Sequence, residues 1–310
     1  MRITVAGAGI IGLSTAYVLK KSGHDVNVVA EKFSPDITSN RAAAFWFPYH
    51  IRSDSRGKQW CRESYDFYSS INDSASGISL KKIVKAISNK TENEDDSWID
   101  FMPSGKVSLM DRASLPEGYR KAYMAYVPLI ETQIFLPWLM KELKQSGVNF
   151  KQKKVTSLIQ DEQNHYVINC TGLGSKEIQD DDDLYAVRGQ VAILSPKEMD
   201  HIFLENEKPC YMVPRKDAII VGGTYEEHAD IEKTDQPTLN ILKENIFSIF
   251  PELRDQKEIG SWAGLRPFRK VIRLEKEGNV IHNYGHGGSG FTLAWGCANT
   301  VNDIIKQEGL

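Results

Sequence analysis

The sequence predicts an α/β protein in which a Rossmann-like dinucleotide-binding domain is interleaved with a smaller, mainly antiparallel β domain. Three observations predict it. "VAGAGIIGLSTA" at the start sets a glycine-rich turn between a short apolar run and a helical pattern. "HYVINCTGLGS", residues 165 to 175, runs again from a buried strand into a glycine turn. Between Val187 and Arg273 the runs are short, strand-like and punctuated by turns, and "NVIHNYGHGGSGFTLAWGCANTVNDIIKQ" then returns to strand, glycine loop and helix. With no internal repeat and no flexible linker, the chain crosses between the domains several times. The boundaries expected are 1–75, 130–186 and 275–310 for the nucleotide domain, and 76–129 and 187–274 for the other.

Each element follows from its residues. Ile3 to Ala6 is a short buried strand, and Gly7, Gly9 and Gly12 follow at GxGxxG spacing. The first glycine permits a tight turn, the second lets main chain approach a pyrophosphate, and the third lets helix pack on strand. "LSTAYVLKKSG" puts Leu13, Ala16, Tyr17 and the stem of Lys20 on one helical face, with Gly23 as the stop. "DVNVVAE" is a second strand ending at Glu31, which lies 19 residues beyond Gly12, a fitting distance for a ribose diol. A helix N-terminus there favours phosphate, because its N–H groups are unpaired and the macrodipole is positive. A basic start and apolar centre give this segment the look of an export signal, but that explains none of the glycine spacing. The motif does not choose between NAD and FAD.

Further on, "KFSPDITSNRAAAFWFPYH" is rich in turn formers and small residues, and Gly57 to Ile71 is helical. "SNKTENEDDS", residues 88 to 97, is a polar loop, and "TQIFLPWLMKELKQSGVNF" a helix ended by Gly147. "QDDDD", residues 179 to 183, reads as a solvated charged loop. "GQVAILS", "CYMVPR", "AIIVGGTY" and "IGSWAGLRPF" read as strands of an antiparallel sheet. The last helix starts near Ser289 to Thr292, fed by the bare loop "YGHGGSGFT", and offers a second anion-stabilising terminus separate from the first. Donors there suit a redox ring that becomes anionic on reduction, although a plain strand–helix turn also accounts for the loop.

Composition narrows the function classes. The 310 residues carry a formal charge of −3, which gives no electrostatic reason to expect nucleic acid or an anionic membrane. No apolar run reaches the ~18 residues of a membrane helix. Cys61, Cys170, Cys210 and Cys297 form no CxxC pair and suit reduced thiols. With no credible export signal and no SKL-type ending, the expected compartment is cytoplasmic. His282 and His286 are four apart, but their glycine-rich setting is no helix, so no metal is expected.

Taken in order, "VAGAGIIGLSTA", "AAAFWFPY", "INCTGLGS", "RGQ" (188 to 190), "YMVP" followed by "VGGT", "GLRPFR" and "HNYGHGGSGFT" make a chain that resembles the D-amino-acid oxidase family of FAD-dependent enzymes over nearly its whole length. The resemblance implies an FAD-binding and a substrate-binding domain, FAD as cofactor, and a D-amino acid and O2 as small-molecule partners. It implies oxidative deamination to an imino acid and hydrogen peroxide, then hydrolysis to a keto acid and ammonia. Arg266 matches the arginine that clamps the substrate carboxylate, Tyr211 the tyrosine whose hydroxyl binds the same group, and Gly288 the glycine whose carbonyl receives the amine. A guanidinium fork offers a carboxylate two parallel donors, which lysine cannot copy. On the flavin side the resemblance places Gly7, Gly9, Ile10, Ile11, Gly12, Glu31, Lys32, Thr38, Ser39, Ala42, Ala43, Trp46, Gly172, Arg188, Gln190 and His282. It adds Gly285, Gly287, Gly288, Ser289, Gly290, Phe291 and Thr292.

Without the resemblance, Arg266, Arg269 and Arg273 read as structural ion-pair residues and Tyr211 as a core tyrosine. Two departures from the family stand out: Glu207 occupies the position of a second active-site tyrosine, and the segment from "RGQ" to "YMVP" is shorter, which trims the lid. An acidic substrate would want a second cation, for which His50, Arg52, His201 and Arg215 are candidates. Tyr225, after "GGT", is neutral where the D-aspartate-preferring branch tends to carry arginine, and this favours neutral D-amino acids. The rival readings are D-aspartate or D-glutamate oxidation, a glycine- or sarcosine-type oxidase, a nicotinamide dehydrogenase and a non-catalytic nucleotide-binding module. Oligomeric state stays open, with a homodimer as the candidate.

Overall fold

The computed structural model describes residues 1–51, 55–71, 73–92, 96–115, 117–158, 166–205 and 210–307. The elements of the first half are β1 (Arg2–Ala6), α1 (Ile10–Lys21), β2 (Asp25–Ala30), α2 (Gly57–Ser70), β3 (Ile78–Ser88), β4 (Val107–Leu109), β5 (Tyr119–Ile130), α3 (Thr132–Gln145) and β6 (Asn149–Gln152). Then come β7 (Tyr166–Asn169), α4 (Ser175–Gln179), β8 (Tyr185–Leu194), β9 (His201–Glu205), β10 (Cys210–Pro214), β11 (Ile219–Gly222) and β12 (Glu226–Glu227). The last are α5 (Gln236–Ile249), β13 (Glu258–Glu277), β14 (Val280–His286) and α6 (Gly290–Gln307). They divide between two compact units: Met1–Ile78, Ile130–Ala186 and Arg266–Leu310 form unit 1, and Ser79–Leu129 with Val187–Leu265 forms unit 2.

Unit 1 carries the order β13–β14–β7–β1–β2–β6. From β14 to β6 every pairing is parallel, and β13 lies antiparallel to β14. The inner parallel strands β14, β7, β1 and β2 are largely buried, as such sheets require, whereas the edge strand β6 is polar and mostly exposed. The single apolar face expected for α1 is too narrow a description. Ile10, Leu13, Ser14, Thr15, Ala16 and Leu19 are all buried, because α1 meets β2, α3 and α6 at once. The Thr15 hydroxyl is satisfied within the helix, donating to the Ile11 carbonyl at 2.7 Å. Tyr17 is only half-buried and meets Trp295 edge-on, 5.5 Å between ring centroids. On α6, a Cβ at Gly296 would overlap the Trp60 backbone of α2, so that glycine sets how closely the two helices pack.

Two expectations are corrected in this unit. Residues 266–274 cluster with unit 1 rather than with the substrate domain, since β13 continues past a register shift between Phe268 and Arg273 and pairs there with β14. The acidic run 179–183 is not simply a solvated face. Asp181 is 7% exposed and accepts from the Tyr284 hydroxyl at 2.6 Å and from Arg269 Nε at 3.0 Å. Burial alone would raise its carboxyl, but the bond from Tyr284 and the charges of Arg269 and Arg273 hold it below the usual range.

Unit 2 carries the order β4–β5–β3–β9–β10–β11–β8, with β12 beside β8. β9, β10, β11 and β8 pair antiparallel in that order, whereas β3 and β9 are parallel. Met212, Ile219, Val221, Ala192 and Leu194 face α5, which covers them with Leu239, Leu242 and Ile246. That helix is absent from the strand-dominated expectation. Its signals were present: Asp235 caps it by accepting from Thr238 N at 3.1 Å, and a proline stands in its first turn. All four cysteines are buried, and none is in a disulfide. Among the described residues no helix is long and apolar enough to cross a membrane.

Candidate functional site

At the first glycine turn the protein's own packing demands two of the three glycines. Gly7 has φ 111°, and a Cβ on it would overlap the Cys170 carbonyl; one on Gly12 would overlap the Gly7 carbonyl. Gly9 differs. Its backbone is extended (φ −71°, ψ 178°), and a Cβ there would meet only Ser39 Oγ, at 3.2 Å. α1 begins with no side-chain cap and no acid in its first turn, and the Ile10 N–H points to Ser39 Oγ at 3.0 Å. Gly7 N donates to the Val29 carbonyl at 2.8 Å, which brings the end of β2, and exposed Glu31 just beyond it, beside the turn. Lys32 and Thr38 are exposed, Ile11, Ser39 and Ala42 half-buried, and Ala43 buried.

The second glycine loop ends at the same place. Gly285 (φ 88°) leaves room for Arg269, and Gly287 (φ 55°) for Phe268, whose Cδ2 would lie 2.9 Å from an added Cβ. The bareness of this loop is therefore owed in part to its own neighbours. Gly290 opens α6, and a Cβ on it would lie 3.5 Å from Cγ2 of Ile10, the residue that opens α1. The termini expected to be separate are neighbours. Neither first turn holds an acid, so two positive helix ends adjoin, a setting for an elongated anionic ligand. Thr292 Oγ1 donates to the Phe47 carbonyl at 2.8 Å, Ser289 Oγ donates to the Tyr49 carbonyl, and Phe291 is buried. These contacts tie residues 47–49 to the start of α6.

Gly288 lies between two side chains. A Cβ on it would be 3.1 Å from Tyr49 Cδ1 and 3.5 Å from Arg266 Cδ. Arg266 is half-buried, and its charge opposes the rise that burial imposes on the Tyr49 phenol. The structure thus brings Arg266 and Gly288 together and adds Tyr49, a residue not singled out from sequence. The signal was its place at the end of "AAAFWFPY". Gly172 (φ 58°) turns toward Pro267, the neighbour of Arg266, with Cγ 3.8 Å from an added Cβ.

Other candidates have structural partners. Trp46 is fully buried, its indole N–H donating to the Cys61 carbonyl at 3.0 Å. The His282 ring is buried, with Nδ1 3.3 Å from Asn169 Nδ2 and Nε2 3.3 Å from Glu277 Oε2. Burial and the charge of Arg273 push it below its ordinary range. In unit 2, Arg188 pairs with Glu226 through Nε (3.0 Å) and Nη2, and Gln190 Nε2 donates to the same carboxylate at 2.8 Å. Gln190 Oε1 accepts from Asp235 N at 2.7 Å. Both side chains expected on the cofactor side are engaged within their own unit. Tyr211, half-buried on β10, alternates with Cys210 and Met212 and so lies on the sheet face away from α5. Glu207 and Arg52 lie outside the described residues. No group of three or more His, Cys, Asp or Glu that could hold a metal occurs among the described residues.

A parallel sheet with a glycine turn at the carboxyl end of β1, and two helix N-termini meeting over it, defines a dinucleotide-binding protein. Residues 2–304 match the family of FAD dependent oxidoreductases called DAO, and the chain belongs to that family. It is 34% identical over 322 residues to a D-amino-acid oxidase of Dictyostelium discoideum, covering 99% of this chain and 92% of that one. It is 30% identical over 326 residues to a human D-aspartate oxidase, covering 99% and 95%. Its fold is similar to that of a glycine oxidase from Bacillus cereus, with TM-score 0.82, 18% identity and coverage of 99% and 95%.

The cofactor of this family is FAD, and the residues fit it. The space over Gly9, which a Cβ would fill, and the first turns of α1 and α6, neither of which holds an acid, are where pyrophosphate would be held.

Proposed function

We propose that the protein carries out FAD-dependent oxidative deamination of D-amino acids, with neutral side chains favoured. The amino acid loses two electrons and two protons to become an imino acid, and O2 takes them up as hydrogen peroxide. Water then hydrolyses the imino acid to a 2-oxo acid and ammonia. The observation that carries the reading is Arg266 beside Gly288, at the loop that feeds α6.

The side chains have positional work. The Arg266 guanidinium pairs with the substrate carboxylate through two parallel N–H donors. The Tyr211 hydroxyl donates to the same carboxylate, and the Gly288 carbonyl accepts from the amine. FAD, when bound, supplies the acceptor for the hydride leaving Cα. Holding both ends of the amino acid fixes which face its Cα–H presents, so one enantiomer reacts. No side chain is required as general base once the amine is neutral.

Similarity to a D-aspartate oxidase supports acidic substrates as a second reading. Of its candidate cations, Arg215 is committed to Asp217, Nε at 2.9 Å and Nη2 at 2.7 Å, and His50 stacks edge-on against Tyr49. Tyr225, neutral where the D-aspartate-preferring branch tends to carry arginine, keeps the balance with neutral substrates. Peroxide release measured side by side with D-alanine, D-aspartate, glycine and sarcosine tests the assignment. Turnover highest with D-alanine supports it, and turnover confined to glycine or sarcosine, or to D-aspartate, refutes it.

A further inference from the structure

Tyr211 stands directly opposite Gly222 in the β10–β11 antiparallel pair. Opposed residues share a face of the sheet, and a ring on one strand leans over its partner. Here the partner has no Cβ. A Cβ on Gly222 would overlap Cζ, Cε2 and the hydroxyl oxygen of Tyr211. One on Gly223 would lie 2.8 Å from Cε1 and 2.9 Å from the hydroxyl oxygen. The outer half of the phenol therefore rests on bare main chain at two successive residues.

Glycine in a strand interior weakens it, and the usual reason to find one is close approach by another group. Ile219, Ile220 and Val221, which precede the pair on β11, are fully buried and fit a strand core. The two glycines do not. The ring above them is only half-buried, unlike Met212 and Val213 beside it, which are fully buried. Tyr211 is thus seated on main chain and yet not fully covered, as a ring that presents its hydroxyl to a ligand would be.

We propose that Gly222 and Gly223 form a platform that holds the Tyr211 hydroxyl in one orientation, which makes them positioning residues for the substrate carboxylate. The inference rests on Tyr211 being a carboxylate anchor, as set out under the proposed function. A methyl at either glycine pushes the ring off its seat, and the rotation that relieves the overlap carries the hydroxyl away from its position. The glycines act through the tyrosine and touch no substrate themselves.

The test uses propionate, which is D-alanine without its amine, binding to the FAD-loaded protein and read by the change in flavin absorbance. Gly222→Ala, Gly223→Ala and Tyr211→Phe are compared singly, and each glycine change is also combined with Tyr211→Phe. Loss of a hydrogen bond to a charged group predicts propionate affinity lower by roughly tenfold or more in each single variant. Each double variant should bind no more weakly than Tyr211→Phe alone, and KM for D-alanine should rise alongside while kcat changes less. Wild-type affinity in both glycine variants overturns the proposal. So does a glycine effect undiminished by phenylalanine at 211, since that reports general distortion of the sheet. Wild-type affinity in Tyr211→Phe refutes the anchor role itself, a failure distinct from that of the platform. If neither glycine variant folds, recovery of folding when Tyr211→Ala removes the ring supports the platform, and no recovery overturns it.

Discussion

Gly9→Ala adds a methyl where the fold itself demands little. The backbone there is extended, and only Ser39 Oγ, 3.2 Å from the added carbon, has to turn aside. At a compatible φ, an alanine for a glycine stabilises by about 0.4–1 kcal/mol through the unfolded chain. The apoprotein should therefore melt close to the wild-type temperature, since this gain is offset by weakening of the Ile10 N–H bond to Ser39 Oγ, 3.0 Å long. The same methyl occupies the approach to the first turn of α1, where the cofactor phosphates are assigned. Losing one charge-assisted hydrogen bond costs about 1.5–3 kcal/mol, or about 10- to 150-fold in the dissociation constant of FAD. Gly12→Ala is the contrast, because its Cβ would overlap the Gly7 carbonyl and α1 is held by β2, α3 and α6 and cannot retreat. It should cost the apoprotein about 1–3 kcal/mol by overpacking. Titrating apoprotein with FAD by fluorescence, beside melts without FAD, measures both quantities. A Gly9→Ala protein that binds FAD as wild type does would show that no phosphate lies over this residue.

Three further outcomes are expected. Arg266→Ala should lower kcat/KM for D-alanine by the equivalent of about 2–5 kcal/mol, with Arg266→Lys recovering little because it lacks the fork, as steady-state kinetics will show. Asp181→Ala strands the Tyr284 hydroxyl and Arg269, and the denaturation midpoint should report a loss of about 2–3 kcal/mol. That is below the cost of a fully buried pair, since the Arg269 side chain keeps 20% of its exposure and a second partner in Asp183. Burial pushes His286 down from 6.5 to about 3. Between those values the unfolded chain binds a proton that the folded one does not, so stability falls as pH drops below about 6.5, by about 1.4 kcal/mol per pH unit. His282, also lowered, acts in the same direction. Melting temperatures at pH 7 and pH 5 should differ less in His286→Gln than in wild type.

The nucleotide half of the fold was legible because its constraints are local. A strand, three glycines at fixed spacing and a helix state their geometry within a few residues, and Gly7 and Gly12 take the places that spacing assigns. The meeting of the two helix ends was not legible, since Ile10 and Gly290 are brought together by packing of α1 on α6 across most of the chain. Asp181 misled for the same reason. Its run of acids looks solvated until Tyr284 and Arg269, about a hundred residues away in sequence, close over it. α5 carried a readable cap and helical spacing at Leu239, Leu242 and Ile246, but strand-like neighbours on both sides masked it. Arg266 and Tyr211 were reached through resemblance alone, because an isolated arginine or tyrosine carries no periodic signal.

Anaerobic mixing of the purified FAD-loaded protein with D-alanine, followed by flavin absorbance, tests the central claim most directly. Loss of the oxidised flavin band with D-alanine, absent with L-alanine and greatly slowed in Arg266→Ala, is the expected result. A flavin that stays oxidised through a panel of neutral and acidic D-amino acids would contradict the account.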